Sequence, residues 1–164
     1  MNENSFHILF VCTGNTCRSP LAEGILKNLL KLRGVNNIYV SSAGTAGLDN
    51  YPASENAVEA AKVWDIDISG HRSRPLNREI LDSADLILAM SPGHVDFILG
   101  LSPGAKNKTF LIKGFPERYS PSQDGIRDPI GGPLEFYNQT YLELDEILRR
   151  IEPEIIRWSK STGD

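Results

Sequence analysis

The sequence predicts an α/β fold in three layers, with a four-stranded parallel sheet flanked by helices on both faces. Two observations lead to this prediction. Short apolar runs, typical of strands that are covered on both faces, alternate along the chain with segments of helical period. Such alternation favours a parallel sheet, which binds ligands at the carboxyl ends of its strands.

The strand predictions come from four apolar runs that contain β-branched or aromatic residues. The first run stops at Thr13-Gly14, so a loop follows it directly. The predicted strands are His7–Cys12, Ile38–Ser42, Asp85–Met90 and Thr109–Ile112.

The helix predictions come from capping residues and apolar periodicity. Ser19 is the predicted N-cap of the first helix, Pro20 its first residue, and Gly34 its end. Pro153 is expected to kink the C-terminal helix or start a new turn, because it cannot donate to the carbonyl of Arg149. The remaining helices are predicted at Ser54–Trp64, His94–Leu101 and, with the clearest stripe, Tyr137–Trp158.

Size and composition predict one domain over residues 1–164, large enough to bury a core without a metal or disulfide framework. A net charge of −4 without a basic tail argues against nucleic acid as a partner. The chain lacks a basic leader and the roughly 20-residue apolar stretch of a membrane span. We therefore expect a cytoplasmic protein that does not enter the membrane and keeps its two cysteines reduced.

The loop after the first predicted strand has the composition of an anion-binding site. Gly14 and Asn15 stand where a tight turn requires positive φ, so that successive backbone N–H groups converge on one point. The N-terminus of the following helix adds its own N–H groups and its positive dipole end. The residues expected to surround a bound phosphate are Thr13, Gly14, Asn15, Thr16, Cys17 and Ser19.

Cys12 and Arg18 at the two ends of this loop indicate phosphoryl transfer. Cys12 stands at the strand end, where the helix dipole favours a nucleophilic thiolate and the Ser19 hydroxyl can donate to it. The planar Arg18 guanidinium can bind two phosphoryl oxygens, whose negative charge grows in the transition state. No lysine follows in the position of a nucleotide-binding P-loop.

The run Cys12 to Ser19 resembles the active-site loop of the low-molecular-weight protein tyrosine phosphatases. The resemblance covers nearly the whole chain and implies the same four-stranded parallel sheet. It implies that Cys12 is the nucleophile, that Arg18 stabilises the transition state, and that Asp128 in Asp128-Pro129 is the general acid and then the general base. It further implies that Asn15, Ser42 and His71 hold the loop in shape. For Cys17 there are two interpretations: the resemblance implies that it protects Cys12 through a reversible disulfide, and the alternative is a small buried side chain with a structural role only.

Two departures from the usual tyrosine-phosphatase pattern bear on the substrate. Thr16 replaces a common isoleucine, and Ile130-Gly131-Gly132 replaces the aromatic residues that commonly follow Asp-Pro. Both are similar to the protein arginine phosphatase branch, so protein phosphoarginine is the expected substrate and protein phosphotyrosine the alternative. A non-catalytic phosphate-binding module is a distant third possibility.

Other polar residues receive simpler interpretations. His7 and His94 are expected to have no catalytic task, and no cofactor or metal site is predicted. Arg72, Arg74 and Arg78 are interpreted as a solvated face, with docking of a phosphoprotein as the alternative. The segment Gly114–Pro133 is long and rich in glycine and proline, so we expect it to be functional.

Overall fold

The computed structural model describes residues 5–118 and 124–161. All four predicted strands are present, and the second extends two residues beyond its predicted end. In chain order the elements are β1 Phe6–Cys12, α1 Arg18–Leu32, β2 Ile38–Gly44, α2 Glu55–Lys62, α3 Arg78–Ser83, β3 Leu86–Ala89, α4 Pro92–Leu101, a 3-10 helix Pro103–Lys108, β4 Thr109–Leu111 and α5 Leu134–Ser161.

The strands form one parallel sheet in the order β2-β1-β3-β4. The first strand is therefore internal and pairs with β2 on one side and β3 on the other. In this register Cys12 pairs with Gly44 at the carboxyl end of the sheet. Because all strands are parallel, the loops that follow them meet at this same edge.

Side chains of β1 alternate between two hydrophobic clusters, as expected of a strand buried on both faces. Ile8, Phe10 and Cys12 belong to the cluster that also contains residues of α1, α2 and α5. Leu9 and Val11 belong to the opposite cluster, with residues of α3 and α4. The predicted three-layer arrangement is thus confirmed, and Cys12 lies on the face covered by α1.

The start of α1 differs from the prediction. The helix begins at Arg18 with Cys17 in the N-cap position, and no side chain caps it. The assignment of Ser19 as N-cap was wrong, because its hydroxyl bonds to Cys12 and Asn15 instead. Gly34 has φ of 72° just after the helix, in agreement with its predicted role as terminator.

The C-terminal helix α5 is a single element of 28 residues. Pro153 lies inside it and does not divide it in two. Both α1 and α2 pack against this helix. Within the described residues, no helix is long and apolar enough to cross a membrane. Residues 119–123 of the segment Gly114–Pro133 lie outside the described residues.

Candidate active site

Cys12 lies at the carboxyl end of β1, beneath the loop that leads into α1. Its side chain is buried, and its Sγ lies 2.8 Å from Ser19 Oγ in the first turn of the helix. A hydroxyl at this distance can donate to a thiolate and stabilise its charge. The strand end and the helix start therefore bring together the two residues that the sequence places seven positions apart.

Asn15 organises the loop from within. It has φ of 56° and is fully buried, so the predicted positive φ is confirmed at this residue, whereas Gly14 does not adopt it. Its Nδ2 donates to Ser19 Oγ at 2.7 Å and to Ser42 Oγ at 2.9 Å. Its Oδ1 accepts from the backbone N–H of Arg74 at 3.0 Å, so every polar atom of the amide is engaged.

The segment around His71 supports the same turn from outside. His71 Nε2 donates to the Asn15 carbonyl at 2.7 Å. The Arg74 side chain donates from Nε to the Ser42 carbonyl at 2.9 Å, so its interpretation as a solvated residue was wrong. Ser42 Oγ in turn donates to Glu23 Oε1 at 2.7 Å, a contact the sequence did not indicate.

Gly44 lets the second strand approach the loop closely. A Cβ at this position would lie 2.5 Å from the Thr13 carbonyl oxygen and 3.0 Å from the Asn15 backbone nitrogen. The chain then continues along the loop, where Thr45 N–H donates to the Cys12 carbonyl and Ala46 N–H to the Thr13 carbonyl, each at 2.9 Å. The backbone of the loop is thereby fixed to the segment that follows β2.

Arg18 connects the loop to the segment that carries Asp128. Its guanidinium is buried; Nη1 donates to the Ile126 carbonyl at 3.0 Å and Nη2 to Asp128 Oδ2 at 3.3 Å. Nη2 also donates to Thr13 Oγ1 at 3.3 Å. The structure thus brings Asp128 to the loop that contains Cys12, although the two residues are far apart in sequence.

A tight turn positions Asp128. Its Oδ1 accepts from the backbone N–H of Ile130 at 3.1 Å, an arrangement in which an aspartate side chain stabilises its own turn. Gly131 has φ of 79°, and a Cβ on Gly132 would lie 2.6 Å from the Phe136 ring. Both glycines are required by this turn, and Ile130 remains 62% exposed beside the site.

The other predicted loop residues take different positions. Cys17 is buried in the core, where desolvation, followed by the nearby Cys12 and Asp128, raises the pKa of its thiol. Thr16 is half-buried and its carbonyl accepts from the Ser54 N–H at 2.8 Å. Leu48 lies against the loop: its Cδ1 would be 3.6 Å from a Cβ built on Gly14.

His94 is the functional candidate that sequence reasoning did not connect with the site. It is 6% exposed, and its Nε2 lies 2.8 Å from Thr13 Oγ1. Burial, and after it the charge of Arg18, lower the pKa of His94 to about 4. The signal available in the sequence was the pair Ser91-Pro92, which favours the start of a helix directly after β3 and shortly before His94.

The described part of the chain contains no group of three or more histidine, cysteine or acidic side chains that could hold a metal ion. The arrangement instead joins a nucleophilic sulfur, a hydroxyl donor, a guanidinium and a carboxylate. Such a set can attack phosphorus, stabilise the anionic oxygens and transfer a proton.

Comparison with known proteins shows the family of the chain. The family model for low molecular weight phosphotyrosine protein phosphatase matches residues 7–161. The chain belongs to the low-molecular-weight protein tyrosine phosphatase family. This match confirms the family resemblance predicted from the sequence and agrees with the four-stranded parallel sheet.

Named relatives within the family fall into two groups. A protein-arginine-phosphatase of Bacillus subtilis is 40% identical over 148 residues, covering 90% of this chain and 95% of the relative. The low molecular weight protein-tyrosine-phosphatase Etp of Escherichia coli is 37% identical, covering 82% and 90%. A solved mutant of the arginine phosphatase YwlE, with a phosphorylated active-site serine, superposes with a TM-score of 0.84 at 38% identity, covering 92% and 95%.

Proposed function

We propose that this protein is a cysteine-dependent protein phosphatase that hydrolyses phosphorylated side chains, with protein phosphoarginine as its substrate. The observation that carries the proposal is the convergence of Cys12, Arg18 and Asp128 at one loop. Cys12 Sγ is 2.8 Å from a hydroxyl donor, and the Arg18 guanidinium contacts Asp128 at 3.3 Å.

In the first step the Cys12 thiolate attacks phosphorus. The S–P bond forms while the bond from phosphorus to the leaving nitrogen or oxygen breaks, and Asp128 donates a proton to that departing atom. Arg18 and the N–H groups of the loop bind the equatorial oxygens, whose charge must be stabilised in the transition state. Ser19 stabilises the thiolate before attack.

In the second step water cleaves the cysteinyl-phosphate. Asp128, now a carboxylate, accepts a proton from the water. The water oxygen attacks phosphorus at the same time, and the S–P bond breaks. Cys12 leaves as a thiolate, inorganic phosphate is released, and both groups return to their starting states. The phosphorylated active-site serine in the YwlE mutant supports a nucleophile at the corresponding place.

Three observations support phosphoarginine as the substrate. A protein-arginine-phosphatase is among the relatives with 40% identity. The acid loop presents the aliphatic Ile130, so one aromatic wall for stacking a phenyl ring is missing, an interaction of about 0.5–1.5 kcal/mol. The third is a chemical argument: Asp128 can accept a hydrogen bond from a guanidinium as a carboxylate and, in its protonated form, donate a proton to the departing nitrogen.

Protein phosphotyrosine is the second candidate, because tyrosine phosphatases with 37% identity belong to the same family. For either substrate we place the enzyme in the cytoplasm, where a cysteine nucleophile stays reduced. We also assign the activity to one domain over residues 1–164.

Matched phosphoarginine and phosphotyrosine peptides test the proposal. We expect kcat/KM to favour phosphoarginine, to need no added metal, and to vanish in Cys12→Ser. A preference for phosphotyrosine contradicts the substrate assignment and leaves the mechanism standing. Activity that survives in Cys12→Ser contradicts the mechanism.

A further inference from the structure

A chain of hydrogen bonds leads from the start of α4 to the Arg18 guanidinium. Ser91 Oγ lies 2.8 Å from His94 Nδ1, and His94 Nε2 lies 2.8 Å from Thr13 Oγ1. Thr13 Oγ1 accepts from Arg18 Nη2 at 3.3 Å. His94 is buried whereas Thr13 is exposed at the mouth of the site, so the chain links the protein interior to the reaction centre.

The guanidinium fixes one proton role in this chain, and we assign the other roles from it. Because Arg18 can only donate, Thr13 Oγ1 accepts from it, and the Thr13 proton is free to donate to His94 Nε2. A neutral His94 then carries its own proton on Nδ1 and donates it to Ser91 Oγ. Burial and the nearby Arg18 charge both oppose protonation of this imidazole.

We propose that His94 is a positioning residue that holds the Arg18 guanidinium, through the Thr13 hydroxyl, in the orientation needed to bind the phosphoryl oxygens. The inference rests on the proposed role of Arg18 in the phosphatase reaction. It assigns to His94 a function that reaches the substrate only through two other side chains.

The need for this support follows from the other partners of Arg18. Nη1 is held by the Ile126 carbonyl, but Nη2 is shared between Asp128 and Thr13. When Asp128 is protonated to act as general acid, it no longer attracts the guanidinium as a carboxylate does. Thr13 is then the remaining protein partner of Nη2 among these contacts.

The loop backbone does not depend on His94. The Thr13 carbonyl accepts from Ala46 N–H at 2.9 Å, which fixes the main chain of the loop to the segment after β2. Loss of the imidazole therefore releases the Thr13 hydroxyl and leaves the phosphate-binding N–H groups in place. The expected defect is in transition-state stabilisation, with little change in binding of the ground state.

A double-mutant cycle between His94→Leu and Thr13→Val tests the inference. We expect each single variant to lower kcat about tenfold while KM changes less than about threefold, because the lost interaction strengthens in the transition state. The double variant is expected to be no worse than the more impaired single variant, since both changes break the same chain. His94→Gln, which keeps a polar group, is expected to recover part of the lost kcat.

The matched control is His7→Leu, which is the same substitution near the opposite end of β1. At 3.3 Å per strand residue, His7 lies about 16 Å from Cys12. His7→Leu is expected to keep the wild-type kcat. The inference is overturned if the two leucine variants are equally active, if the effects of His94→Leu and Thr13→Val multiply, or if His94→Leu acts only on KM. Failure of the proposed function is a separate result, namely inactive wild-type protein or active Cys12→Ser.

A measurement on the wild-type protein avoids any folding defect of the variants. Long-range ¹H–¹⁵N NMR spectra at pH 7 distinguish the two neutral tautomers of each imidazole and the charged form. The imidazole signal that is absent from the spectrum of His94→Gln is that of His94. We expect this signal to show a neutral ring protonated on Nδ1. A ring protonated on Nε2, or a charged ring, contradicts the proton roles on which the inference depends.

Discussion

Arg18 and Asp128 form an ion pair across the candidate active site, with Arg18 Nη2 3.3 Å from Asp128 Oδ2. The arginine side chain is 6% exposed and the aspartate 38%, so one partner is buried and the other is in contact with solvent. Water reaches the carboxylate and screens its attraction to the guanidinium. In the reaction that we propose, an incoming phosphoryl group replaces the carboxylate on the guanidinium, and Asp128 is then free to act on the leaving group.

Asp128→Asn is expected to remove general acid catalysis and to keep the turn, because the amide oxygen can still accept from Ile130 N–H. We expect a loss of about 10²–10⁴-fold in kcat on phosphopeptides, whose leaving groups need a proton. The loss is expected to be much smaller for an aryl phosphate with an electron-poor phenol, which leaves without protonation. Equal losses for both leaving groups would show that Asp128 is not the acid.

Asn15→Ala and Asn15→Gly separate two contributions of Asn15 to stability. Both variants lose the three side-chain hydrogen bonds of a fully buried amide, but glycine tolerates the φ of 56°. We expect Asn15→Ala to lower the free energy of unfolding by roughly 3–5 kcal/mol and Asn15→Gly by about 1 kcal/mol less. Urea denaturation measures the difference, and equal values for the two variants would contradict a cost of the left-handed backbone.

Thr16→Ile is expected to shift the substrate preference toward phosphotyrosine. The substitution removes a hydroxyl beside the phosphate-binding loop and adds apolar bulk, and such pocket changes alter discrimination by about tenfold or more. The measurement is the ratio of kcat/KM on matched phosphoarginine and phosphotyrosine peptides. Thr16→Val, which has the shape of threonine, shows whether loss of the hydroxyl or added bulk causes the shift in substrate preference. An unchanged ratio in Thr16→Ile would exclude Thr16 as the residue that selects the substrate.

Cys17→Ser is expected to make peroxide inactivation irreversible by thiols. In the wild type we expect Cys17 to form a disulfide with oxidised Cys12 and so to prevent further oxidation of its sulfur. Burial raises the pKa of Cys17, so its thiol is protonated at rest, and formation of the disulfide is expected to be slower than for an exposed cysteine. The fraction of activity recovered with dithiothreitol after peroxide treatment is the measurement; equal recovery in both proteins would exclude the protective role.

His94 makes stability depend on pH in a defined window. Burial and, after it, Arg18 lower its pKa to about 4 from 6.5, while Asp128 acts in the opposite direction. Between these two values the unfolded chain binds a proton that the folded protein does not, so stability is full above pH 6.5 and falls as the pH drops toward 4.

The measurement is the change in the free energy of unfolding between pH 7 and pH 4, compared between the wild type and His94→Gln. The wild type is expected to lose on the order of 2 kcal/mol more than the variant, allowing for solvent screening near the open mouth of the site. Other titrating groups, including His7, are common to both proteins and cancel in the comparison. A variant with the same pH dependence as the wild type would show that His94 titrates normally in the folded protein.

The sequence by itself determined the layers of the fold and predicted the loop that we propose binds phosphate. Strand-forming runs such as His7–Cys12 are short, apolar and buried on both faces, so their pattern is local. The residues from Cys12 to Ser19 are contiguous, and backbone N–H groups that converge on one anion require only a tight turn followed by a helix. Asp128 was found through family resemblance, because a single Asp-Pro pair carries no comparable local signal.

Only the tertiary structure decided which distant residues reach that loop. The contacts of Glu23, Arg74 and His94 depend on the strand order β2-β1-β3-β4, which places the ends of β2 and β3 on either side of Cys12. The hydroxyl of Ser19 would suit an N-cap, but a thiol and an amide lie within its reach and engage it instead. Local patterns predict local hydrogen bonds, whereas these partners are chosen by the packing of segments far apart in the chain.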